Sequence, residues 1–103
     1  MDYYTQYTLS TPNDCAPDTD AIESTIKGIS GYPIKFGGGG ERTWYGHQND
    51  MLKLSKIYPD VLFKLEGVGE EFEDIWVKYF KNGKMQVCKA EIVFPPYDES
   101  KMQ

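Results

Sequence analysis

Apolar residues at helical spacing mark the first regular element of the chain. Ile22, Ile26 and Ile29 recur at intervals that place them on one face of an α-helix. Asp18, Thr19 or Asp20 provides a capping side chain at its start, and Gly31 provides an end. The pattern therefore predicts a helix over residues 20–29.

A second helix is predicted over residues 48–57. Met51, Leu54 and Ile57 or Tyr58 repeat at helical spacing and are expected to face inward. Proline follows at position 59, and proline cannot continue a helix, so the segment should end there.

Segments rich in β-branched and aromatic residues surround the helices. They predict strands over residues 3–9, 32–36, 41–45, 61–65, 72–80 and 85–94. The run Gly37–Gly40 is predicted to be a flexible loop, and Gly67 and Gly69 are predicted to interrupt the sheet. Asn82-Gly83 predicts a two-residue type I′ hairpin, because both central residues of that turn need a positive φ.

This order of elements favours an α+β fold, in which two helices pack on one face of a mainly antiparallel sheet of four or five strands. The 103 residues suit a single domain spanning residues 1–103. Residues 97–103 are polar and are expected to form a frayed tail.

Charge limits the classes of partner. The chain has 16 acidic and 11 basic residues, a net charge of −5, and its lysines are scattered. Nucleic-acid binders usually carry a basic patch, so direct binding of nucleic acid is disfavoured. An acidic protein is suited instead to a basic surface on another protein.

We expect a cytoplasmic protein without a membrane segment. No stretch approaches the roughly 20 apolar residues of a membrane helix, and the first ten residues do not resemble a signal peptide. The two cysteines are then expected to be reduced thiols.

One set of segments within residues 43–87 has a familiar pattern: 44–47, 50–51, 54–59, 63–67, 69–71, 74–76 and 79–84. Together they resemble a known family, the small phage and mobile-element proteins of the YubB type. The resemblance implies a ferredoxin-like fold and a phage or prophage setting. In size and charge the chain is also similar to some type II anti-CRISPR proteins, which bind the RNA-guided nuclease of the host.

Four residues are candidate ligands for one structural zinc ion. Asp14, Cys15, His47 and Cys88 are of the types that zinc prefers, although their spacing matches no known paired-cysteine pattern. The alternative is a buried Cys88, an exposed Cys15 and a surface or capping His47. A third possibility is a small metal-dependent hydrolase that uses His47, Cys88 and an acid.

A cluster of acidic residues surrounds Gly67 and Gly69, and it is the candidate contact with a partner protein. Its carboxylates are suited to lysines and arginines of another protein, although such a cluster is often only a solvated turn. The cluster consists of Glu66, Glu70, Glu71, Glu73 and Asp74.

Aromatic residues divide into a predicted core and candidate interface anchors. Trp44, Phe63, Trp76 and Phe80 are predicted to be buried, whereas Tyr3, Tyr4 and Tyr7 are candidates for exposed anchors.

The sequence therefore favours a non-enzymatic inhibitor, encoded by a phage or prophage, that binds a host CRISPR effector nuclease. A phage structural or assembly module and the hydrolase are the alternatives. Its oligomeric state and its strand order stay open.

Overall fold

A computed structural model describes residues 2–12 and 18–103 of the chain. The elements in this part of the chain are β1 (Thr5–Ser10), α1 (Thr19–Ser30), β2 (Gly39–Arg42), α2 (His47–Ile57), β3 (Phe63–Gly69), β4 (Ile75–Lys81) and β5 (Lys84–Lys89), followed by a short 3₁₀ turn at Glu99–Lys101. These elements confirm the predicted α+β class.

The five strands form one sheet in the order β2-β1-β3-β4-β5, and each neighbouring pair is antiparallel. The first strand lies inside the sheet, between β2 and β3, and β5 lies at one edge. The ferredoxin-like connectivity is not confirmed by this strand order.

Both ends of α1 are capped by the residues that the sequence indicates. The Asp18 carboxylate accepts a hydrogen bond from the Ala21 N–H, and it so satisfies one donor of the first turn. Gly31 has a φ of 81° and donates its N–H to the Lys27 carbonyl at 2.8 Å. This left-handed conformation suits glycine and ends the helix.

One face of the sheet is covered and forms the core with both helices. Residues that pair directly in antiparallel strands share a face, so Tyr7, Gly67 and Trp76 lie side by side. Ile22 and Ile26 of α1 and Met51 and Leu54 of α2 are buried against this face. The buried apolar residues are Tyr7, Leu9, Ile22, Ile26, Ile34, Trp44, Met51, Leu54, Val61, Phe63, Leu65, Trp76 and Phe80.

The opposite face of the sheet, which we call the open face, carries a mixture of polar and apolar side chains. Val68 and Ile75 pair across β3 and β4 and are both exposed. Lys64 and Glu66 lie on the same face of β3 as Val68, and the side chains of Lys64 and Glu66 form an ion pair at 3.0 Å. This face has no helix packed on it within the described part of the chain.

The β4–β5 hairpin confirms the strongest turn signal of the sequence. Asn82 has a φ of 49° and Gly83 a φ of 76°, and Lys81 pairs with Lys84 on either side of them. The hairpin is tied to α2, because the Gly83 N–H donates to the buried Ser55 hydroxyl at 2.9 Å.

The glycine-rich segments depart from the prediction. Gly39 and Gly40 belong to β2 rather than to a loop, and β3 continues through Gly67 and Gly69. Gly67 stays in the strand because the Trp76 indole lies directly over its Cα, in the space that a Cβ would need. The predicted interruption at these glycines is therefore wrong.

Other strand boundaries also differ from the prediction. The predicted strand 72–80 begins only at Ile75, so Phe72 lies in the connection before β4. The segment 32–36 forms only a single parallel bridge, between Phe36 and Leu9, instead of an edge strand. The last strand ends at Lys89 rather than at residue 94, after a final hydrogen bond from the Ala90 N–H to the Ile75 carbonyl. The apolar residues beyond it therefore do not join the sheet.

Candidate functional site

The β3–β4 connection is an exposed acidic turn, which we define as residues 70–74. Glu70, Glu71 and Glu73 are exposed, and Phe72 between them leaves 82% of its surface accessible. An aromatic ring so exposed and surrounded by carboxylates is typical of a contact surface rather than of a core.

Backbone hydrogen bonds fix the shape of the acidic turn. The Gly69 N–H donates to the Asp74 carbonyl at 2.7 Å, and the Asp74 N–H donates to the Glu71 carbonyl at 3.1 Å. The Ile75 N–H donates to the Glu73 carbonyl at 2.9 Å. The connection is thus held in one arrangement by groups of its own backbone.

Residues that precede β1 support the turn from the side. The Tyr3 hydroxyl accepts a hydrogen bond from the Glu71 N–H at 3.1 Å and donates one to the Asp74 carboxylate at 2.6 Å. The Tyr4 N–H donates to the Glu70 carboxylate at 2.5 Å. The hydrogen bond to Asp74 raises the pKa of Tyr3, because it stabilises the phenol rather than the phenolate.

The five acidic residues predicted as the partner contact are only partly together. Glu70, Glu71, Glu73 and Asp74 share the turn, whereas Glu66 lies on the open face in its ion pair with Lys64. The sequence did not single out Phe72 as part of this surface. The sequence did contain a signal for it, because Phe72 is the single aromatic residue within a run of acidic residues.

A second cluster of polar groups lies beneath the covered face, at the start of α2. The Lys78 ammonium lies 2.6 Å from Nε2 of His47, and 4.1 Å above the centre of the Trp76 ring. The His47 and Trp76 rings are stacked, with centres 4.9 Å apart and planes 10° apart. Lys78 is only 8% exposed.

The hydrogen bonds define the tautomer of His47. Its Nδ1 lies 3.0 Å from the Trp44 carbonyl, which can only accept, so the proton lies on Nδ1. Nε2 then accepts from Lys78. Burial lowers the pKa of His47, and the Lys78 charge lowers it further. Burial likewise lowers the pKa of Lys78.

Trp44 connects this cluster to the core. Its carbonyl also accepts a hydrogen bond from the Tyr7 hydroxyl at 2.9 Å, and its indole N–H donates to the Asp50 carboxylate at 2.6 Å. Every polar atom of the cluster that is buried has a partner in the described part of the chain. The arrangement stabilises a neutral imidazole between a carbonyl and an ammonium group.

The predicted zinc ligands are only partly within the described residues. His47 contacts Lys78 beneath the covered face, whereas Cys88 pairs with Val77, whose side chain lies on the open face. These two residues are thus on opposite sides of the sheet. Asp14 and Cys15 lie outside the described residues, so a structural zinc ion that includes them stays a prediction.

Residues 2–12 and 18–103 contain no group of three or more histidine, cysteine or acidic side chains that could hold a metal ion. In the same ranges no helix has the length and apolar character needed to cross a bilayer.

The fold and the site together define an α+β domain with a five-stranded antiparallel sheet, an exposed acidic turn and a histidine–lysine pair in which the lysine is buried and the histidine is half-buried. Comparison of the chain with known protein families, curated proteins and solved structures finds no match in any of the three.

Proposed function

We propose that this protein is a non-enzymatic inhibitor, encoded by a phage or prophage, that binds a host CRISPR effector nuclease in the cytoplasm of the host cell. The acidic turn makes the contact and blocks the use of nucleic acid by the nuclease. The observation that carries the proposal is the exposed Phe72 ring between exposed carboxylates.

Charge supports a partner with a basic surface. Residues 65–77 contain Glu66, Glu70, Glu71, Glu73 and Asp74 but no lysine or arginine. A protein channel that holds nucleic acid is lined by lysine and arginine, and carboxylates can take the place of phosphates there. Such complementarity mainly increases the association rate and the specificity.

The hydrogen bonds of the turn support a ready-made contact. Tyr3, Tyr4 and the backbone of residues 69–75 already hold the turn in place before a partner binds. Less conformational entropy is then lost on binding, and more of the interaction energy contributes to affinity. Phe72 would be the apolar anchor at the centre of a polar rim.

The family proposal rests on the sequence resemblance of residues 43–87. We propose kinship with the YubB type and its ferredoxin-like fold, with which two helices on an antiparallel sheet are compatible.

The test is a panel of purified CRISPR effector nucleases loaded with guide RNA. We expect the protein to bind at least one of them and to slow its DNA cleavage, with an affinity that falls as salt is raised. The proposal would be contradicted if the protein neither bound nor inhibited any member of the panel. A mobility-shift assay with DNA and RNA alone should give no complex.

Charge reversal maps the contact. The Glu71→Lys/Glu73→Lys variant changes two exposed carboxylates that make no side-chain hydrogen bond in the described part of the chain. It should lose inhibition, whereas the control Asp20→Lys/Glu41→Lys has the same net charge and should keep it. Equal loss in both variants would assign the effect to net charge rather than to the acidic turn.

A phage structural or assembly module is the second candidate. The observation that favours it is the exposed apolar segment after β5, where Val93, Phe94 and Tyr97 are all more than three-quarters accessible. Purification as a large homo-oligomer without effect on any nuclease would support this candidate instead.

A further inference from the structure

Strand β5 exposes a complete row of backbone groups along its outer edge. The Ala90 N–H bonds to the Ile75 carbonyl, and in antiparallel ladders such bonds involve every second residue. Residues 84, 86 and 88 therefore turn their backbone groups toward β4. Met85, Val87 and Lys89 turn theirs away from it, where the described part of the chain offers no partner strand.

The opposite edge of the sheet is less open. Strand β2 has only four residues, and Phe36 bridges to Leu9 beyond its end. Strand β5 has six residues, and its Met85 and Val87 side chains are exposed. A long edge with unpaired backbone groups and apolar side chains is a template for another strand.

The chain after β5, which we call the tail (residues 90–103), combines the apolar run 92–94 with the polar stretch 97–103, and all of its residues are exposed. Val93, Phe94, Tyr97 and Met102 are exposed, with Phe94 at 84%. The radius of gyration is 16.5 Å, against about 13 Å for a compact domain of this length. An extended apolar segment of this kind gains stability only by covering another surface.

We propose that a second copy of this chain is the occupant, in a two-fold dimer in which two β5 strands pair antiparallel and each tail docks on the other copy. This inference goes beyond the proposed function and does not depend on it.

One register satisfies the edge best. Because only Met85, Val87 and Lys89 point outward, they must face one another across the two-fold axis. Val87 then lies opposite Val87 of the second copy, and Met85 lies opposite Lys89. Each of these facing pairs exchanges two backbone hydrogen bonds. The register also avoids placing lysine directly opposite lysine, which would be destabilising.

The same register carries the tail to a suitable surface. Ala90 lies opposite Lys84 of the second copy, so the tail continues past the β4–β5 turn of that copy. A groove of about 560 Å³ lies beside this turn, and its walls include Leu62, Met85, Lys81 and Lys84. Residues 90–103 span up to about 46 Å when extended, which is ample.

Charge also matches between the tail and the groove. The tail carries Glu91, Asp98 and Glu99 against one lysine, Lys101, and the groove carries Lys81 and Lys84 against one acid, Asp60, so the net charges are opposite in sign. Neither of these lysines makes an ion pair in the described part of the chain. The apolar residues of the tail can cover Leu62 and Met85, while its acids meet the two lysines.

Sedimentation velocity of the full chain tests the dimer first. We expect a species of twice the 11.8 kDa chain mass that dissociates on dilution. A monomer at every attainable concentration would overturn the proposal, and so would a dimer that Val87→Pro leaves intact. Proline removes an outward N–H but no ladder bond to β4, so the variant should stay folded by circular dichroism and become monomeric.

A crosslink tests the register even if the proline variant fails to fold. In a Cys15→Ser/Cys88→Ser background, Val87→Cys places two thiols across the axis at a Cα separation of about 5.5 Å, which suits a disulfide. Oxidation should give a covalent dimer. The control Val68→Cys is similarly exposed, 47% against 44%, but lies on a central strand and should stay monomeric. Equal crosslinking of both variants would contradict the register.

A charge exchange tests the tail. Lys81→Glu/Lys84→Glu and Glu91→Lys/Glu99→Lys should each weaken the dimer several-fold, because the groove and the tail then carry the same sign. A mixture of the two variants should recover dimers, since each tail again meets a groove of opposite charge. No recovery in the mixture would contradict docking of the tail in this groove.

Discussion

The ammonium group of Lys78 lies 2.6 Å from Nε2 of His47, beneath the covered face of the sheet. The imidazole can accept this hydrogen bond only while Nε2 carries no proton. A second proton would place two cations side by side, and Lys78 is too buried there for water to screen the repulsion well. The pair therefore couples the stability of the fold to pH.

We expect the fold to lose stability as pH falls through the ordinary pKa of histidine. The pKa of His47 is lowered in the folded state, chiefly by burial and then by Lys78, so the unfolded chain binds the proton more readily. The stability is then fully present above the unfolded pKa of about 6.5 and falls below it. The melting temperature should decrease between about pH 7.5 and 5.5, above the range of ordinary carboxyl groups.

The control for this prediction is His47→Gln, which keeps an acceptor and a donor but cannot titrate. His47 is the only histidine of the chain. The pH dependence of the melting temperature in this window should therefore nearly disappear in the variant. An unchanged slope would assign the effect to other groups.

A methyl group at Gly67 should destabilise the folded protein. Its Cβ would overlap the Trp76 ring, which is itself fixed by stacking on His47. Overpacking of this kind typically costs 1–3 kcal/mol, so we expect Gly67→Ala to lower the free energy of unfolding by about 2 kcal/mol. Urea denaturation of the two proteins measures this difference in the free energy of unfolding.

Gly28→Ala is the matched control for Gly67→Ala. Gly28 lies within α1, and a Cβ there meets no atom within 4 Å. This substitution should stabilise the protein by roughly 0.5–1 kcal/mol, because alanine favours helix more than glycine does. Destabilisation by both substitutions would contradict the assigned role of Trp76.

Removal of the Ser55 hydroxyl should loosen the hairpin. Its Oγ accepts from the Gly83 N–H at 2.9 Å and donates to the Leu52 carbonyl at 2.8 Å, and Ser55 is fully buried. Ser55→Ala leaves the Gly83 donor without a partner, which costs about 1–3 kcal/mol. Ser24→Ala, on the exposed side of α1, should change the free energy of unfolding by no more than about 0.5 kcal/mol.

Tyr3→Phe should release the acidic turn while the rest of the sheet stays intact. The Glu71 N–H loses its acceptor, and a hydrogen bond contributes about 1 kcal/mol. Hydrogen exchange of the Glu71 amide should therefore become roughly five-fold faster. Tyr4→Phe is the control, because its backbone N–H rather than its hydroxyl contacts Glu70. Equal acceleration in both variants would contradict the role of the Tyr3 hydroxyl.

The sequence predicted correctly those elements that are determined by residues close together along the chain. The isoleucine spacing and Gly31 predict α1 to within a residue or two, and Asn82-Gly83 predicts the hairpin. These features depend on side chains within a few positions of one another. The same reasoning correctly places Trp44, Phe63, Trp76 and Phe80 in the core.

Signals that depend on distant neighbours were misjudged. Glycine alone suggests a break at Gly67, but the Trp76 ring from the next strand fills the space above it. Tyr7 resembled an exposed anchor, yet it is buried, because its strand lies inside the sheet.

Lys78 was missed for a similar reason. It shares the period-two phase of Trp76 and Phe80, which was a usable sign that a lysine points inward. The sequence did not indicate that His47 would be its partner, because that contact depends on how α2 packs. The run of acidic residues in the sequence indicated the acidic turn. The sequence did not indicate what holds the turn in place, because the Tyr3 hydroxyl that binds Asp74 lies 71 residues away along the chain.

The central position of β1 has a consequence for how the chain folds. Thr5 pairs with Gly69, so β1 has no partner on its β3 side until residues 63–69 have been synthesised. The β3–β4–β5 meander, in contrast, closes through short connections. Pairings between residues far apart in sequence slow folding, because a long loop must close first. We therefore expect docking of β1 to be the late step, and a nascent chain that stops before residue 63 to lack the sheet.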